Sequence, residues 1–484
     1  MNTKAFNQIL LRYKLPCLFL LLFSCNTLEE EPQDFLSPNN YFNTAAEADA
    51  VVVGAYHQLT NWNYYGRAFY NIVDLASDDA TVGNFNTPRR VEIDFFTLGP
   101  DNGEIPKVWY QGYESIMASN MVLEQLPNIQ DDAQRLTEIE GQALFLRALN
   151  YFNLVRLYGA VPLVTNANLD LKTVSDKGRD PVEDVYAQIE QDLGLAEDKL
   201  PLRWSDTEVG RATQGAAKTL LAKVLLTQKK WAEAAVKAKE VIDLNEYSLI
   251  PDYADLWLVA NQNGPEHIFS IQSKALVGVP GRLTLQLMPI SAGGNGNVLP
   301  EVDLFDAFSD EDYRKEVSFT TEFVDADGNV VPYPEWSVPQ PHIGKYEDPG
   351  EPNNLLGGDT NTNWPVFRYA EVLLIYAEAL NEASGGPTEE AYAAINQVRA
   401  RARLPELTPG LAQIAFREAL LNERRFELCF EGKRWFDLVR WDIMVETLSE
   451  SRPNVREYHQ LFPIPLSEID VSREALKQNP GYSE

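Results

Sequence analysis

Ala216-Ala-Lys-Thr-Leu-Leu-Ala-Lys-Val224 is followed, after a short break, by Trp231-Ala-Glu-Ala-Ala-Val-Lys-Ala-Lys239. Small residues recur in both segments at the spacing of a helical turn, where a neighbouring helix must approach closely. The pair is expected as helices over 214–227 and 231–245, with the Trp and Ala spacing of a tetratricopeptide hairpin. Such a unit buries its apolar face only against neighbours, so one hairpin implies a stack of them. Tyr369-Ala-Glu-Val-Leu-Leu-Ile-Tyr-Ala-Glu378 and Ala391-Tyr-Ala-Ala-Ile-Asn-Gln-Val-Arg399 repeat the scheme, giving helices over 368–383 and 387–402.

The same period extends outward. It predicts helices over 44–59, where Ala48, Val51, Val52, Ala55 and Leu59 share a face, and over 105–126, 133–157, 181–195, 411–430 and 434–444. Gly159 is placed to end the third of these, and Asp180 to cap the fourth with Pro181 at its first position. Trp109, Trp231, Trp435 and Trp441 fall on helices and are expected in the core. Between 261 and 363 the period breaks into Gly, Pro and Asn, with short alternating segments at Ile268-Phe-Ser-Ile271 and Phe319-Thr-Thr-Glu-Phe323. The expected architecture is mainly α: a tetratricopeptide-like helical-repeat scaffold over 41–260 and 364–484. A loop-rich lobe with short β segments over 261–363 is laid on it, within a single domain 41–484. Loops this long on a rigid scaffold are where binding surfaces are built.

Lys4, Arg12 and Lys14 precede a short apolar run, and Leu22-Phe23-Ser24-Cys25 ends it. That run is too short to span a bilayer and reads as a lipoprotein signal peptide over 1–24, with Cys25 the lipid attachment site. An ordinary secretion signal is the alternative. Residues 25–40 are polar and acidic, an extended tether or simply a solvated linker. Of the 3 cysteines only Cys429 then remains, so no intramolecular disulfide is available and stability rests on packing. The formal net charge of −30 disfavours nucleic acid and anionic headgroups as partners.

No His-Glu-x-x-His, Gly-x-Ser-x-Gly or Cys-x-x-Cys motif occurs, and the 4 His residues are too dispersed for a metal site. Gly210-Arg-Ala-Thr-Gln-Gly215 has phosphate-loop glycine spacing, but Ala216-Ala217 stand where Lys and Ser or Thr are needed. Asp325-Ala-Asp-Gly-Asn329 lacks the later bidentate Glu of a calcium loop and reads as a hairpin turn. No catalytic residue, metal or cofactor is assigned.

Four longer segments carry a family resemblance. They are Arg147-Ala-Leu-Asn-Tyr-Phe-Asn-Leu-Val-Arg-Leu-Tyr-Gly-Ala-Val-Pro-Leu-Val164, Arg368-Tyr-Ala-Glu-Val-Leu-Leu-Ile-Tyr-Ala-Glu-Ala379, Glu423-Arg-Arg-Phe-Glu-Leu-Cys-Phe-Glu-Gly-Lys-Arg-Trp-Phe-Asp-Leu-Val-Arg-Trp441, and Leu461-Phe-Pro-Ile-Pro-Leu-Ser-Glu-Ile469 with Gln478-Asn-Pro-Gly-Tyr482. In this order they resemble the SusD/RagB family of outer-membrane nutrient-binding lipoproteins of Bacteroidetes. The resemblance implies a lipid-anchored protein at the cell surface, on the outer membrane. Such a protein captures oligosaccharides, or peptides in the RagB type, and delivers them to a SusC-like TonB-dependent transporter. Glu423, Arg424, Arg425 and Glu431 are read as a buried ion-pair network and not as an active site.

A sugar receptor needs aromatic faces beside amides, carboxylates or guanidinium groups. Three clusters qualify: Trp62-Asn63-Tyr64-Tyr65 with Arg67, the stretch from Asp78 and Asp79 to Phe85, and Tyr333 with Trp336. For each, packing of loop onto scaffold is the competing explanation. A surface glycoside hydrolase and a purely structural lipoprotein are the other function classes. Reducing-end release marks the first, and the absence of any stabilising ligand the second.

Overall fold

The computed structural model describes residues 42–83, 87–167, 177–275, 283–325, 327–348, 360–472 and 475–483. The signal peptide, Cys25, the tether and Phe85 lie outside them. Asn43–Glu484 form one compact unit.

The helices come first: α1 (Ala45–Thr60), α2 (Ala68–Leu75), α3 (Pro88–Asp94), α4 (Ile105–Gln125), α5 (Ala133–Tyr158), α6 (Val182–Lys199), α7 (Gln214–Thr227) and α8 (Trp231–Asp243). Thr44 and Glu47 close a reciprocal capping box on α1, satisfying two backbone donors that the first turn leaves open. Asp132 caps α5 by accepting from the Gln134 and Arg135 amides, and Gly159 ends that helix at φ +73°. The second half of α5 is buried on all sides, as expected for the central helix of a bundle. α1 packs on α4 and α5, α5 on α6, α6 on α7, and α7 on α8.

The chain then runs through the loop-rich segment and returns as α12. In between lie α9 (Leu283–Leu287), α10 (Val302–Ala307) and α11 (Arg314–Ser318), each about one turn long. After them come α12 (Tyr369–Ser384), α13 (Glu389–Arg401), α14 (Gln413–Leu428), α15 (Arg434–Arg440), α16 (Met444–Leu448) and α17 (Leu466–Val471). α12 packs on α8, α13 and α14, which continues the stack. Four antiparallel strand pairs decorate it: β1 (Ala80–Val82) with β3 (Val298–Pro300), β2 (His267–Ile271) with β8 (Trp364–Arg368), β4 (Phe319–Thr320) with β7 (His342–Ile343), and β5 (Glu322–Val324) with β6 (Val330–Pro332). The expected mainly α repeat scaffold with short β segments is what forms, and the Asp325–Asn329 stretch turns the β5–β6 hairpin.

Differences from the sequence reading are local. Arg368 ends β8 instead of starting a helix. Pro181, not Asp180, caps α6, because the Asp180 carboxylate accepts from the Leu163 amide at 2.6 Å. The last predicted helix breaks into α15 and α16. Trp109 and Trp435 are buried, whereas Trp231 and Trp441 are half-buried and stack on each other at 5.7 Å.

The segments meet on a buried ion network. Arg368 donates to Glu431 at 2.8 Å and to Glu266 at 3.1 Å, and also pairs with Glu427. Arg401 reaches Glu266 at 2.7 Å and Glu427 as well. Arg314 joins Asp312 at 2.8 Å, Glu423 at 2.6 Å and Glu427 at 3.0 Å. Lys345 donates to Glu431 at 3.0 Å and to the carbonyls of Glu427 and Cys429. Burial alone would raise the Glu427 carboxyl, but Arg401, Arg368 and Arg314 outweigh it and hold the group well below the carboxylate range. Of the four residues expected in this network, Glu423 and Glu431 belong to it. Arg424 instead pairs with Asp437 at 2.9 Å, and Arg425 reaches Asp78 at 3.0 Å.

Removing one partner of a buried ion network leaves uncompensated charge, at a cost of about 3–5 kcal/mol. Glu427→Gln is therefore expected to lower unfolding stability by about that amount in denaturant titrations. A folded-state pKa depressed below the usual 4.5 adds stability that is complete above that pH and lost as the pH falls further. The variant should accordingly show a shallower acid loss than the wild type.

Candidate functional site

The chain leaves α1 through a tight turn. The Asn61 carbonyl accepts from the Tyr64 and Gly66 amides, at 2.8 and 3.1 Å. A Cβ on Gly66 would lie 2.8 Å from that oxygen, so the turn needs glycine there. The turn drives Tyr64 and Tyr65 inward, and both hydroxyls accept from the Asn153 amide, at 2.9 and 2.8 Å. Both rings are buried beside Phe69, and burial pushes Tyr65 up to about 12. This corrects the expectation that they face a ligand. Trp62 and Asn63 stay half-exposed, and the Arg67 guanidinium lies 4.6 Å over the Trp62 ring.

Asp78 and Asp79 also turn away from solvent. Asp78 binds Arg434 in bidentate fashion at 2.7 and 2.9 Å, and Arg425 Nε donates to Asp79 at 2.9 Å. Burial would raise Asp78, but Arg434 and Arg425 hold it low. Asp79 is pushed up to about 6 by burial, against the pull of Arg425. These carboxylates clamp the turn before β1 onto α14 and α15. Next to them Asp74 accepts from the Gly432 amide at 3.1 Å, and burial with the neighbouring Asp79 raises it to about 8.

β1 follows that clamp and pairs with β3. Asp94 accepts from Thr81 Oγ1 and the Val82 amide at 2.7 and 2.9 Å, and the Gly83 amide donates to the Asn297 carbonyl at 3.0 Å. A Cβ at Gly83 would sit 1.7 Å from the Gly296 carbonyl oxygen, so the two segments touch only because residue 83 is glycine. β3 lies in turn against β7. Ser337 N–H donates to Ser291 Oγ at 3.2 Å. The structure therefore brings the Asp78–Gly83 segment to the same flank as Tyr333 and Trp336. Trp336 corrects its expectation: the indole is buried against Phe323 and His342 and donates to the Val331 carbonyl at 3.0 Å. The stiff turn presents Tyr333 instead, half-exposed.

On the other flank a basic group escaped the sequence reading. Glu104, fully buried, is approached by Arg67 at 3.6 Å, by Lys107 at 2.8 Å and by Arg89. Arg90 is 4% exposed, and its Nε has no acceptor. Burial lowers Arg67, as does the nearby Arg90 charge, with Glu104 opposing. The signal was Thr87-Pro-Arg-Arg90, a basic pair in an acidic chain.

Residues 311–482 match the family model described as SusD family, and residues 27–226 match one described as starch-binding associating with outer membrane. The SusD-like protein P2 of Formosa agariphila is 32% identical over 97% of this chain and 100% of its own. The starch-binding protein SusD of Bacteroides thetaiotaomicron is 24% identical, covering 86% of this chain and 85% of its own. Among solved structures, a SusD homolog from Bacteroides thetaiotaomicron superposes with a TM-score of 0.83 at 27% identity, over 92% of this chain and 98% of that one. A laminarin-binding SusD-like protein does so at 0.79 and 28%, over 91% and 100%. A mainly α helical-repeat scaffold with a loop-rich segment and short strands is the class of protein these features define. The chain belongs to the SusD family.

A carboxyl raised from 3.8 to about 8 on folding costs nothing at low pH and progressively more as the pH climbs toward 8. Asp74→Asn keeps an acceptor for Gly432 and is expected to melt above the wild type from pH 6 to 9. The difference should vanish below pH 4, as thermal melts across pH would show.

Proposed function

We propose that this protein is a non-catalytic surface receptor that captures oligosaccharides and passes them to a SusC-like TonB-dependent transporter, held at the outer membrane by lipid on Cys25. The family description and the starch- and laminarin-binding relatives support glycan capture. The observation that carries the reading is the state of the acidic groups around the β1 junction. Asp78 is matched to Arg434 and Arg425, and Asp74 and Asp79 are buried, so none of the three is placed to reach a bound substrate as acid, base or nucleophile. Of the expected residues, Trp62 and Asn63 on one flank and Tyr333 on the other remain toward solvent, rings and an amide suited to sugar C–H faces and hydroxyls.

Affinity electrophoresis of the mature protein against a panel of neutral and acidic polysaccharides tests this. Retardation by at least one of them without reducing-end release is expected, with Trp62→Ala weakening that binding about ten-fold, or about 1.4 kcal/mol. Release of reducing ends, or no retardation by any glycan, would overturn the reading.

A further inference from the structure

We propose that Arg67, Arg89, Arg90 and Lys107 form a site for the oxyanion of an acidic saccharide, a sulfate ester or a uronate carboxylate. The inference rests on the glycan-binding reading and names the substrate class that reading leaves open. Starch and laminarin, which the relatives' names mention, are neutral glucans.

The cluster stands out against the rest of the protein's charge pairing. Arg314, Arg368 and Arg401, all buried, each meet two or three carboxylates. Around Glu104 the balance is reversed, with Arg67, Arg89 and Lys107 sharing that single carboxylate. Arg90 adds a fourth cation, whose charge acts on both Arg67 and the Tyr70 hydroxyl. No ion pair joins Arg90 to a carboxylate among the described residues. Glu92, two residues along α3, accepts instead from the Asn102 amide at 2.7 Å.

The polar atoms tell the same story. The Nε atoms of Arg67 and Arg90 and the Tyr70 hydroxyl are buried and have no hydrogen-bond partner. An unmatched buried charge is costly, and buried donors are ordinarily satisfied. A tetrahedral sulfate or planar carboxylate would supply the missing charge and accept from several guanidinium donors at once. Arg67 lies over the half-exposed Trp62 ring, which places the cation cluster beside an aromatic side chain. The chain's net charge of −30 repels an acidic polymer at long range, which makes local cation excess the condition for binding one.

The test is calorimetric titration of the mature protein with oligogalacturonates, with sulfated galactan oligosaccharides, with the desulfated galactan and maltoheptaose as neutral counterparts, and with inorganic sulfate. At least one acidic series should bind, its affinity falling as salt rises. Arg90→Gln and Arg89→Gln should each weaken it ten-fold or more. Arg90→Gln should leave Tm unchanged or raised, since it removes an unmatched buried charge. Which acidic series binds identifies the oxyanion. Binding of neutral oligosaccharides alone would overturn this inference and leave the glycan-binding reading standing, whereas binding of nothing in either class sinks both. Inorganic sulfate binding as tightly as the sulfated saccharide would mark a site for free anions and refute saccharide recognition. A lower Tm with unchanged affinity in Arg90→Gln would make the guanidinium structural and likewise refute it.

Discussion

Glu427 receives three guanidinium groups while fully buried, and the rest of the structure is arranged around that fact. Its partners come from the loop-rich segment (Arg314), from the end of β8 (Arg368) and from the end of α13 (Arg401). Glu266, Asp312, Glu423, Glu431 and Lys345 join the set. Buried charge tolerates neither a missing partner nor a shifted one, so the network fixes how irregular chain sits on regular helices. Apolar packing alone, being non-directional, would leave that placement loose.

The consequence for function is that the site inherits its geometry from the same run of sequence. The stretch from Glu423 to Arg434 contributes Glu423, Glu427 and Glu431 to the network, then Arg425 and Arg434 to the clamp on Asp78 and Asp79. That clamp positions β1, and β1 positions Gly83 against Gly296. In the proposed receptor, recognition is thus built on a rigid base while the contacting residues sit on the loops it holds.

Much of this was legible in the sequence, for identifiable reasons. Helix periodicity placed every long helix, because an amphipathic pattern is a local property. The Asp325–Asn329 turn was legible for the same reason. What failed were statements about where single side chains point. Tyr64 and Tyr65 turn inward because Asn153, far along the chain, offers one amide to both hydroxyls. Trp336 does so because the Val331 carbonyl and His342 wait beneath it. Arg314 and Lys345 showed no charge pattern tying them to Glu427 and Glu431, since those partners are brought near only by the fold. The Arg67–Arg90 cluster was hidden likewise, its members spread over three helix ends and a turn.

Ionic pinning makes the loop-rich segment and the helical stack unfold together. Native-state hydrogen exchange read by mass spectrometry tests it most directly. Peptides containing Lys345 and Tyr346 should exchange with the same opening free energy and denaturant dependence as those from the middle of α5. Exchange of the loop-rich peptides through a separate opening of lower free energy, with α5 still protected, would contradict the account.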